Sequence, residues 1–464
     1  MNGRSISAAA LMILLLMACT PTRYPTPASP VADVYPDGDS GLGAIDGRVP
    51  EGWRQYFRDK SLLAVIELAL DNNRDLRAAA LHVEEARATY RIQRADQVPS
   101  LGGVAAMDRS RVPRDLSMTG APLLASQYQV GLALSSWELD LWGRIRNLKQ
   151  AALQRFLATE SARRAATVSL VAQIANSYLG LRELDERIAL AQDTIRSRAE
   201  SSRIFRLRFE QGSISRLDLA QVEALLDQAR ALGAELELAR ATQAHLLTSL
   251  VGAPVASASA RGSLDEQVVA ADLAPGLPSG LLLRRPDVVA AEHRLQAAHA
   301  DVGAARAAFL PNVVLTASAG TASAELDGLF QAGSRVWTFS PSLTLPIFAG
   351  GRLRASLELS EVRRDLAVAD YEKTVQQAFR EVADALAARR WLAEQLRYYD
   401  SLRASQAERA RLAQLRYDNG AATYLEVLDA QRELLTVEQQ LVSLRRSVLS
   451  SRIDLYAALG GGLE

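Results

Sequence analysis

The sequence predicts a mainly α-helical protein with a smaller β part, built from two copies of one unit. Three observations support this prediction. No proline occurs between Leu123 and Ala253 or between Ile347 and Glu464, the two halves repeat at a constant offset, and each half contains segments of alternating apolar and polar residues. Because a proline inside a helix costs about 3 kcal/mol, the two proline-free stretches predict very long helices.

Composition narrows the classes of function. The 464 residues include 53 Lys+Arg, 53 Asp+Glu and one Cys, so the formal net charge is zero. This balance gives no general attraction to nucleic acid, and one Cys excludes a disulfide framework or a multi-thiolate metal site. No phosphate loop or nucleophile elbow is present, and no helical metal pair is formed by the four histidines, His82, His245, His293 and His299. We therefore expect no catalytic site, no cofactor, no metal and no nucleic-acid partner.

The N-terminus has the pattern of a secretory signal. Arg4 precedes the apolar run 6–18, which is too short to span a bilayer permanently. Leu16-Met17-Ala18-Cys19 resembles the lipobox of bacterial lipoproteins, and Thr20 rather than Asp after the Cys favours sorting to the outer membrane. We therefore predict a signal peptide at 1–18 and Cys19 as the lipid anchor; the alternative is an ordinary signal peptide that contains a Cys.

Residues 19–60 are predicted to be a lipidated N-terminal tether. Six of the 16 prolines lie between Thr20 and Pro50, which is typical of an extended linker. Several acyl chains on Cys19 would anchor the protein firmly, at about 0.8 kcal/mol per buried CH₂ group.

The chain contains an internal repeat. Residues 142–146 match 350–354 at an offset of 208, and the match needs no gap over 110 residues; it pairs Arg208 with Arg416, Gly212 with Gly420 and Gly252 with Gly460. Upstream, Asp75 pairs with Asp287 and Pro99 with Pro311 at an offset of 212. Chance matching is the alternative, but matched Gly and Arg residues at one offset favour a duplicated unit. This predicts repeat 1 at 61–250, a linker or equatorial segment at 251–280 and repeat 2 at 281–460.

Repeat 1 is predicted to contain a helix at 62–96, a β-hairpin at 100–136, a long helix at 144–211 and a return helix at 213–251. At 1.5 Å per residue the long helix measures about 100 Å and the return helix about 58 Å. The helix at 62–96 would make up the difference if it stacks end to end on the return helix.

Repeat 2 is predicted to follow the same plan, with a helix at 286–309, a hairpin at 312–347, a long helix at 352–419 and a return helix at 421–459. The return helix carries two apolar seams, one through Val427 and Leu434 and one through Leu428 and Leu435. Two seams predict a neighbouring helix on each side; the alternative is a helix buried in a globular bundle, which its many polar residues disfavour.

The predicted strands are amphipathic. Val130, Leu132 and Leu134 alternate with small or polar residues, and Trp337 and Phe339 do the same in repeat 2. Four strands cannot close a membrane barrel, and open edges cannot face lipid. Three chains would supply twelve strands. The predicted fold class is therefore a trimeric α-helical tunnel continuous with a twelve-stranded transmembrane β-barrel, four strands per chain.

Four motifs resemble the TolC superfamily of outer-membrane efflux channels, in its lipidated NodT branch of OprM-like proteins. The resemblance covers essentially the whole mature chain and rests on Ser136-Trp137-Glu138-Leu139-Asp140-Leu141-Trp142-Gly143-Arg144, Leu283-Arg284-Arg285-Pro286-Asp287-Val288, Leu345-Pro346-Ile347-Phe348-Ala349-Gly350-Gly351-Arg352 and the segment from Arg416 to Gln431.

The resemblance implies a homotrimer in the outer membrane, in contact with lipid. Its partners would be a periplasmic adaptor protein and an inner-membrane transporter of the RND type, and the chain would be their passive exit duct for drugs or other small molecules, not an enzyme. Alternatives are a duct for metal ions or type I secreted polypeptides and, from another class, a structural coiled-coil lipoprotein or adhesin. The amphipathic strands argue against the last alternative.

Site residues follow from the same resemblance. The helical turns at Gly212-Ser213 and Gly420-Ala421 would form the periplasmic tip that meets the adaptor. Leu425 and Asp429, four residues apart and so on one helix face, would form a periplasmic gate from an apolar plug and a ring of carboxylates. Arg416 would lock the closed state through a carboxylate. The alternative is that Asp429 simply pairs with an arginine such as Arg208 or Arg416.

Overall fold

The computed structural model describes residues 27–28, 30–32, 35, 52–255, 264, 268–269 and 279–461. The predicted signal peptide, Cys19 and most of the tether lie outside the described residues, as does most of the predicted linker. The described chain is mainly helical with four strands, as the sequence predicts.

The elements follow the same order in the two halves. In chain order they are α1 (Trp53–Tyr56), α2 (Lys60–Asn72), α3 (Arg74–Ala95), β1 (Leu101–Val112), β2 (Leu123–Leu139), α4 (Arg144–Glu210), α5 (Arg216–Val251), a 3₁₀ helix (Ser279–Arg284), α6 (Pro286–Ala307), β3 (Asn312–Ser323), β4 (Arg335–Thr344), α7 (Arg352–Asp418) and α8 (Tyr424–Ala458). Two compact units are formed: one includes 88–155 and 292–370, and the other includes 52–87, 156–291 and 371–461.

The four strands form one antiparallel sheet in the order β1-β2-β3-β4. The pairing of β2 with β3 joins the hairpins of the two repeats. At its centre Gly131 faces Gly320, and a Cβ atom on Gly131 would lie 2.5 Å from the carbonyl oxygen of Ala319. Only glycine allows the two backbones to approach so closely. A bulge between Leu134 and Trp137 bends β2, with Ser136 at a φ of 46°.

The start of α4 is determined by residues just before it. The carboxylate of Asp140 accepts hydrogen bonds from the backbone N–H groups of Ile145 (3.0 Å) and Arg146 (2.9 Å). These N–H groups have no partner inside the helix, so the carboxylate satisfies them and complements the positive end of the helix dipole. The same side chain also holds Arg146 Nε at 3.1 Å.

The helix predicted at 62–96 is interrupted. Asn73 takes an extended conformation (φ −62°, ψ 129°) and separates α2 from α3. Its side chain replaces the lost helical bonds: the amide group donates to the carbonyl of Leu250 (2.7 Å), and the amide oxygen accepts from the N–H of Leu76 (2.7 Å). The joint therefore lies beside the end of α5, a contact that local sequence does not reveal.

Helix α8 has a neighbour on each side, consistent with its two apolar seams. On one side Gln439 exchanges hydrogen bonds with Arg187 of α4, through the Arg187 side chain (2.8 Å) and its backbone carbonyl (2.9 Å). On the other side Asp429 bonds Arg409 of α7 at 2.6 Å. Apolar residues from both seams of α8, such as Val427 and Leu428, are buried.

The Leu-Arg-Arg-Pro-Asp motif connects the start of α6 to the middle of α7 and the end of α8. Arg285 is buried and bonds Asp287 twice (3.0 and 2.8 Å), Glu381 (2.8 Å) and the carbonyl of Ala458 (2.8 Å). A guanidinium can be buried at tolerable cost only when its donors and charge are matched in this way. The motif therefore stabilises the contact between these three helices.

Candidate functional site

One face of the sheet is apolar and exposed. Trp337 is 76% exposed, and Phe339, Leu343 and Leu132 are also exposed on the same face. The opposite face is polar; there the hydroxyls of Ser318 and Thr338 hydrogen-bond at 2.7 Å. An exposed apolar surface of this kind marks a site of contact with lipid or protein.

The sheet is also open within the chain. Strands β1 and β4 are its two edges and carry N–H and C=O groups available for pairing with another strand. Among the helices that the structure describes, none is long and apolar enough to cross a membrane.

The two predicted tip turns have the same backbone geometry. Gly212 and Gly420 have φ values of 71° and 72°. In each turn the glycine N–H bonds the carbonyl three residues back at 2.9 Å, and the next residue, Ser213 or Ala421, bonds the carbonyl five residues back at 2.8 Å. This pair of bonds is the Schellman motif, which requires a left-handed residue and so favours glycine.

The residues that follow the turns differ between the repeats. Ser215 and Asp218 form a reciprocal capping box, so α5 begins at Arg216 instead of 213. In repeat 2 the equivalent positions are Thr423 and Glu426, but the Thr423 side chain makes no capping bond. Glu426 instead accepts a hydrogen bond from Arg416 at 3.0 Å.

Asp429 is not paired as expected from the sequence. One of its oxygens accepts from Arg409 (2.6 Å) and the other from Arg432 (2.6 Å). Of the two arginines named in the sequence-based alternative, Arg208 donates to the hydroxyl of Tyr417 (2.8 Å) and Arg416 to Glu426 and the carbonyl of Ala421. The pairing of Asp429 with arginine agrees with the sequence-based alternative, although the partners are Arg409 and Arg432 and not the two arginines given as examples.

The predicted gate residues share one groove of about 980 Å³. Leu425, which is 52% exposed, lies in its wall together with Asp429 and Arg416, whereas Gly212 and Ser213 are not among the lining residues. The groove lies between α5, α7 and α8, and Arg409 and Arg432 also line it.

A small apolar core lies at this end of the helices, and a buried arginine lies next to it. The core consists of Phe205, Leu219, Val222 and Leu428. Arg198 is buried beside it and donates to the carbonyl of Leu225 (2.7 Å). Burial, and secondarily the neighbouring charge of Arg432, lowers the pKa of Arg198 from its usual value.

Sequence reasoning missed Arg409 and Arg432. Arg432 lies three residues after Asp429, a spacing that brings two side chains together on a helix, so it could have been found. Arg409 lies on α7, twenty residues before Asp429, and the contact depends on how two helices pack. In the described part of the chain no three His, Cys, Asp or Glu side chains group as metal ligands.

Comparison with known proteins shows which family the sequence matches. The sequence profile of the family described as outer membrane efflux proteins matches residues 65–253 and 277–461. Outer membrane protein OprJ of Pseudomonas aeruginosa is 46% identical over 462 residues, covering 98% of this chain and 95% of that protein. The toluene efflux pump outer membrane protein TtgI of Pseudomonas putida is 42% identical and covers 100% of this chain and 99% of that protein.

A solved structure is similar over nearly the same span. The open state of the MtrE outer membrane channel of Neisseria gonorrhoeae superposes with a TM-score of 0.85 at 37% identity, covering 96% of this chain and 98% of that chain. The likeness therefore extends through both repeats and the sheet.

Proposed function

The chain belongs to the outer membrane efflux protein family, and on that premise we propose that it is the exit duct of a tripartite pump, passively conducting small organic molecules out of the cell. The family match confirms the resemblance to outer-membrane efflux channels, the location in the outer membrane and the assignment as a channel instead of an enzyme. TtgI is by its name part of a toluene efflux pump, which favours drugs and solvents over metal ions or polypeptides.

The observation that carries this proposal is the open amphipathic sheet in a chain whose two halves both match the efflux family. Four strands leave two edges unpaired, and membrane-spanning β-structure must close. In a homotrimer β4 of one chain would pair with β1 of the next, giving a barrel of twelve strands. The exposed face that carries Trp337 and Phe339 would contact lipid.

The helical part would form the periplasmic tunnel, closed at the turns. The matched turns at Gly212-Ser213 and Gly420-Ala421 would meet the helical hairpins of a periplasmic adaptor, which in turn joins an inner-membrane transporter of the RND type. Leu425 and Asp429 would form the gate, and Arg416, held by Glu426 at 3.0 Å, would stabilise the closed turn. Opening would follow from tighter binding of the adaptor to the open form. Cys19 would add a lipid anchor.

A pair of neighbouring substitutions in β4 tests the membrane assignment. Phe339→Arg places a charge on the apolar face, and Ser340→Arg places the same charge on the polar face. A lipid-facing arginine costs about 2–4 kcal/mol at the bilayer midplane, whereas a lumen-facing one is tolerated. We expect Phe339→Arg to reduce sharply the protease-resistant trimer recovered from outer membranes, and Ser340→Arg to insert normally and conduct in planar bilayers. Equal insertion of the two variants would contradict the proposal.

A further inference from the structure

Each oxygen of the Asp429 carboxylate accepts a hydrogen bond from a different arginine. Arg432 lies on the same helix as Asp429 and also donates to Glu433 at 3.1 Å. Arg409 lies on α7, so its 2.6 Å bond joins two helices. Within this cluster two guanidiniums face two carboxylates, so the charges balance.

The internal repeat shows that the cluster is specific to repeat 2. At the offset of 208, Arg409, Asp429 and Arg432 correspond to Ser201, Gln221 and Ala224, none of which is charged. The two turns nevertheless share one backbone geometry. A helix end of this kind therefore does not need the charged cluster in order to fold, and the cluster has a role other than forming the turn.

From this difference we propose that Arg409 is a positioning residue that sets the charge selectivity of the constriction. Arg409 holds the Asp429 carboxylate against α7 and balances its charge. The ring that the three chains form at Asp429 would therefore carry no net charge, instead of the charge of three unpaired carboxylates. This proposal rests on the proposed function, because it requires Asp429 to face the pore. It differs from the sequence-based expectation, in which the gate carries a ring of carboxylates.

The chain offers a matched control in repeat 1. Arg206 of α4 bonds Glu223 of α5 at 2.8 Å, which is likewise an ion pair between a long helix and its return helix. Arg206 and Arg409 are both exposed to solvent. Loss of either pair should therefore have a similar, small effect on stability, since solvent screens exposed ion pairs. Of the two arginines Arg206 and Arg409, the latter alone bonds Asp429.

Reversal potentials of the full-length protein in planar bilayers, measured across a KCl gradient, test the proposal. A unit charge about 7 Å from an ion in water changes the local ion concentration by roughly two- to threefold. We expect Arg409→Ala to raise the K⁺/Cl⁻ permeability ratio by at least about that factor and Asp429→Asn to lower it. Arg409→Lys, Arg206→Ala and the double variant Arg409→Ala/Asp429→Asn should stay near the unmodified ratio.

The outcomes separate this proposal from the proposed gate. If Asp429→Asn shifts the ratio and Arg409→Ala does not, Arg409 has no positioning role although the gate residue is correct. If neither variant shifts the ratio, Asp429 does not face the pore and both assignments fail. If Arg206→Ala shifts the ratio as much as Arg409→Ala, the effect is a general loosening of the helices and the role of Arg409 is refuted.

Discussion

Asp59 joins a helix start to a buried arginine, and its substitution gives the most quantitative prediction. One carboxylate oxygen accepts from the backbone N–H groups of Ser61 (2.8 Å) and Leu62 (3.3 Å), capping α2. The other bonds Arg182 at 2.7 Å and the hydroxyl of Tyr178 at 3.0 Å. Arg182 is only 2% exposed. A single side chain thus connects α2 to the middle of α4.

Two substitutions of Asp59 separate the contribution of the helix cap to stability from that of the ion pair. Asp59→Ala removes the cap, which is worth about 1 kcal/mol. It also breaks a buried ion pair, which typically costs about 3–5 kcal/mol; we use the lower end because Arg182 keeps its bond to the Tyr178 hydroxyl. The sum is about 4 kcal/mol. Asp59→Asn keeps a good capping residue, but it loses the negative charge and places an amide N–H₂ donor where Arg182 and the Tyr178 hydroxyl need an acceptor. It should therefore cost about 3 kcal/mol, the part that belongs to the buried ion pair.

Amide hydrogen exchange of peptides covering α2 (Lys60–Asn72) measures the local free energy of opening in the intact protein. Protection should fall most in Asp59→Ala and less in Asp59→Asn. The double variant Asp59→Asn/Arg182→Met should regain part of the loss, because it leaves no buried unmatched charge. A loss below about 1 kcal/mol in Asp59→Ala would refute the reasoning, as would a double variant less protected than Asp59→Asn alone.

Two further predictions concern glycine positions and alkaline pH. Gly252→Ala should destabilise the protein more than Gly420→Ala. Each substitution adds a Cβ atom at a positive φ, which costs about 1–2 kcal/mol. The Cβ of residue 252 would also lie 2.5 Å from the carbonyl oxygen of Asn72, whereas the Cβ of residue 420 would meet open space. Equal thermal midpoints would contradict this. Burial, together with nearby Asp59, raises the pKa of Tyr178 to about 12 despite the opposing charge of Arg182. Because a Tyr in the unfolded chain ionises near pH 10, the contribution of protonated Tyr178 to folding stability is complete below pH 10 and is lost as the pH rises toward about 12. Tyr178→Phe should therefore flatten the curve of stability against pH in this range. An unchanged slope would exclude the effect.

The parts of the fold that could be predicted depend on neighbouring residues. A glycine after a long apolar-periodic stretch indicates a helix end, and the backbone turns at Gly212 and Gly420 have the geometry that such an end requires. Alternation of apolar and polar residues in β2 and β4 similarly indicates a two-faced sheet. The break at Asn73 could not be predicted, because its side chain bonds the carbonyl of Leu250, which is 177 residues away.

In the candidate site, too, features set by nearby residues were predictable and features set by distant residues were not. Leu425 and Asp429 were placed on one helix face by their spacing, and the structure brings both to one groove with Arg416. The charge state of that groove was not predicted, because it depends on Arg409 reaching from another helix.

By itself the sequence determined the duplication, the long helices, the two turns and the amphipathic strands, because each depends on backbone preference or on periodicity within one segment. Only the tertiary structure decided which arginine meets Asp429, where the first helix breaks and how the strands of the two repeats join through Gly131 and Gly320. These features depend on side chains and backbone groups from distant segments, whose energies appear only once the helices and strands have packed against each other.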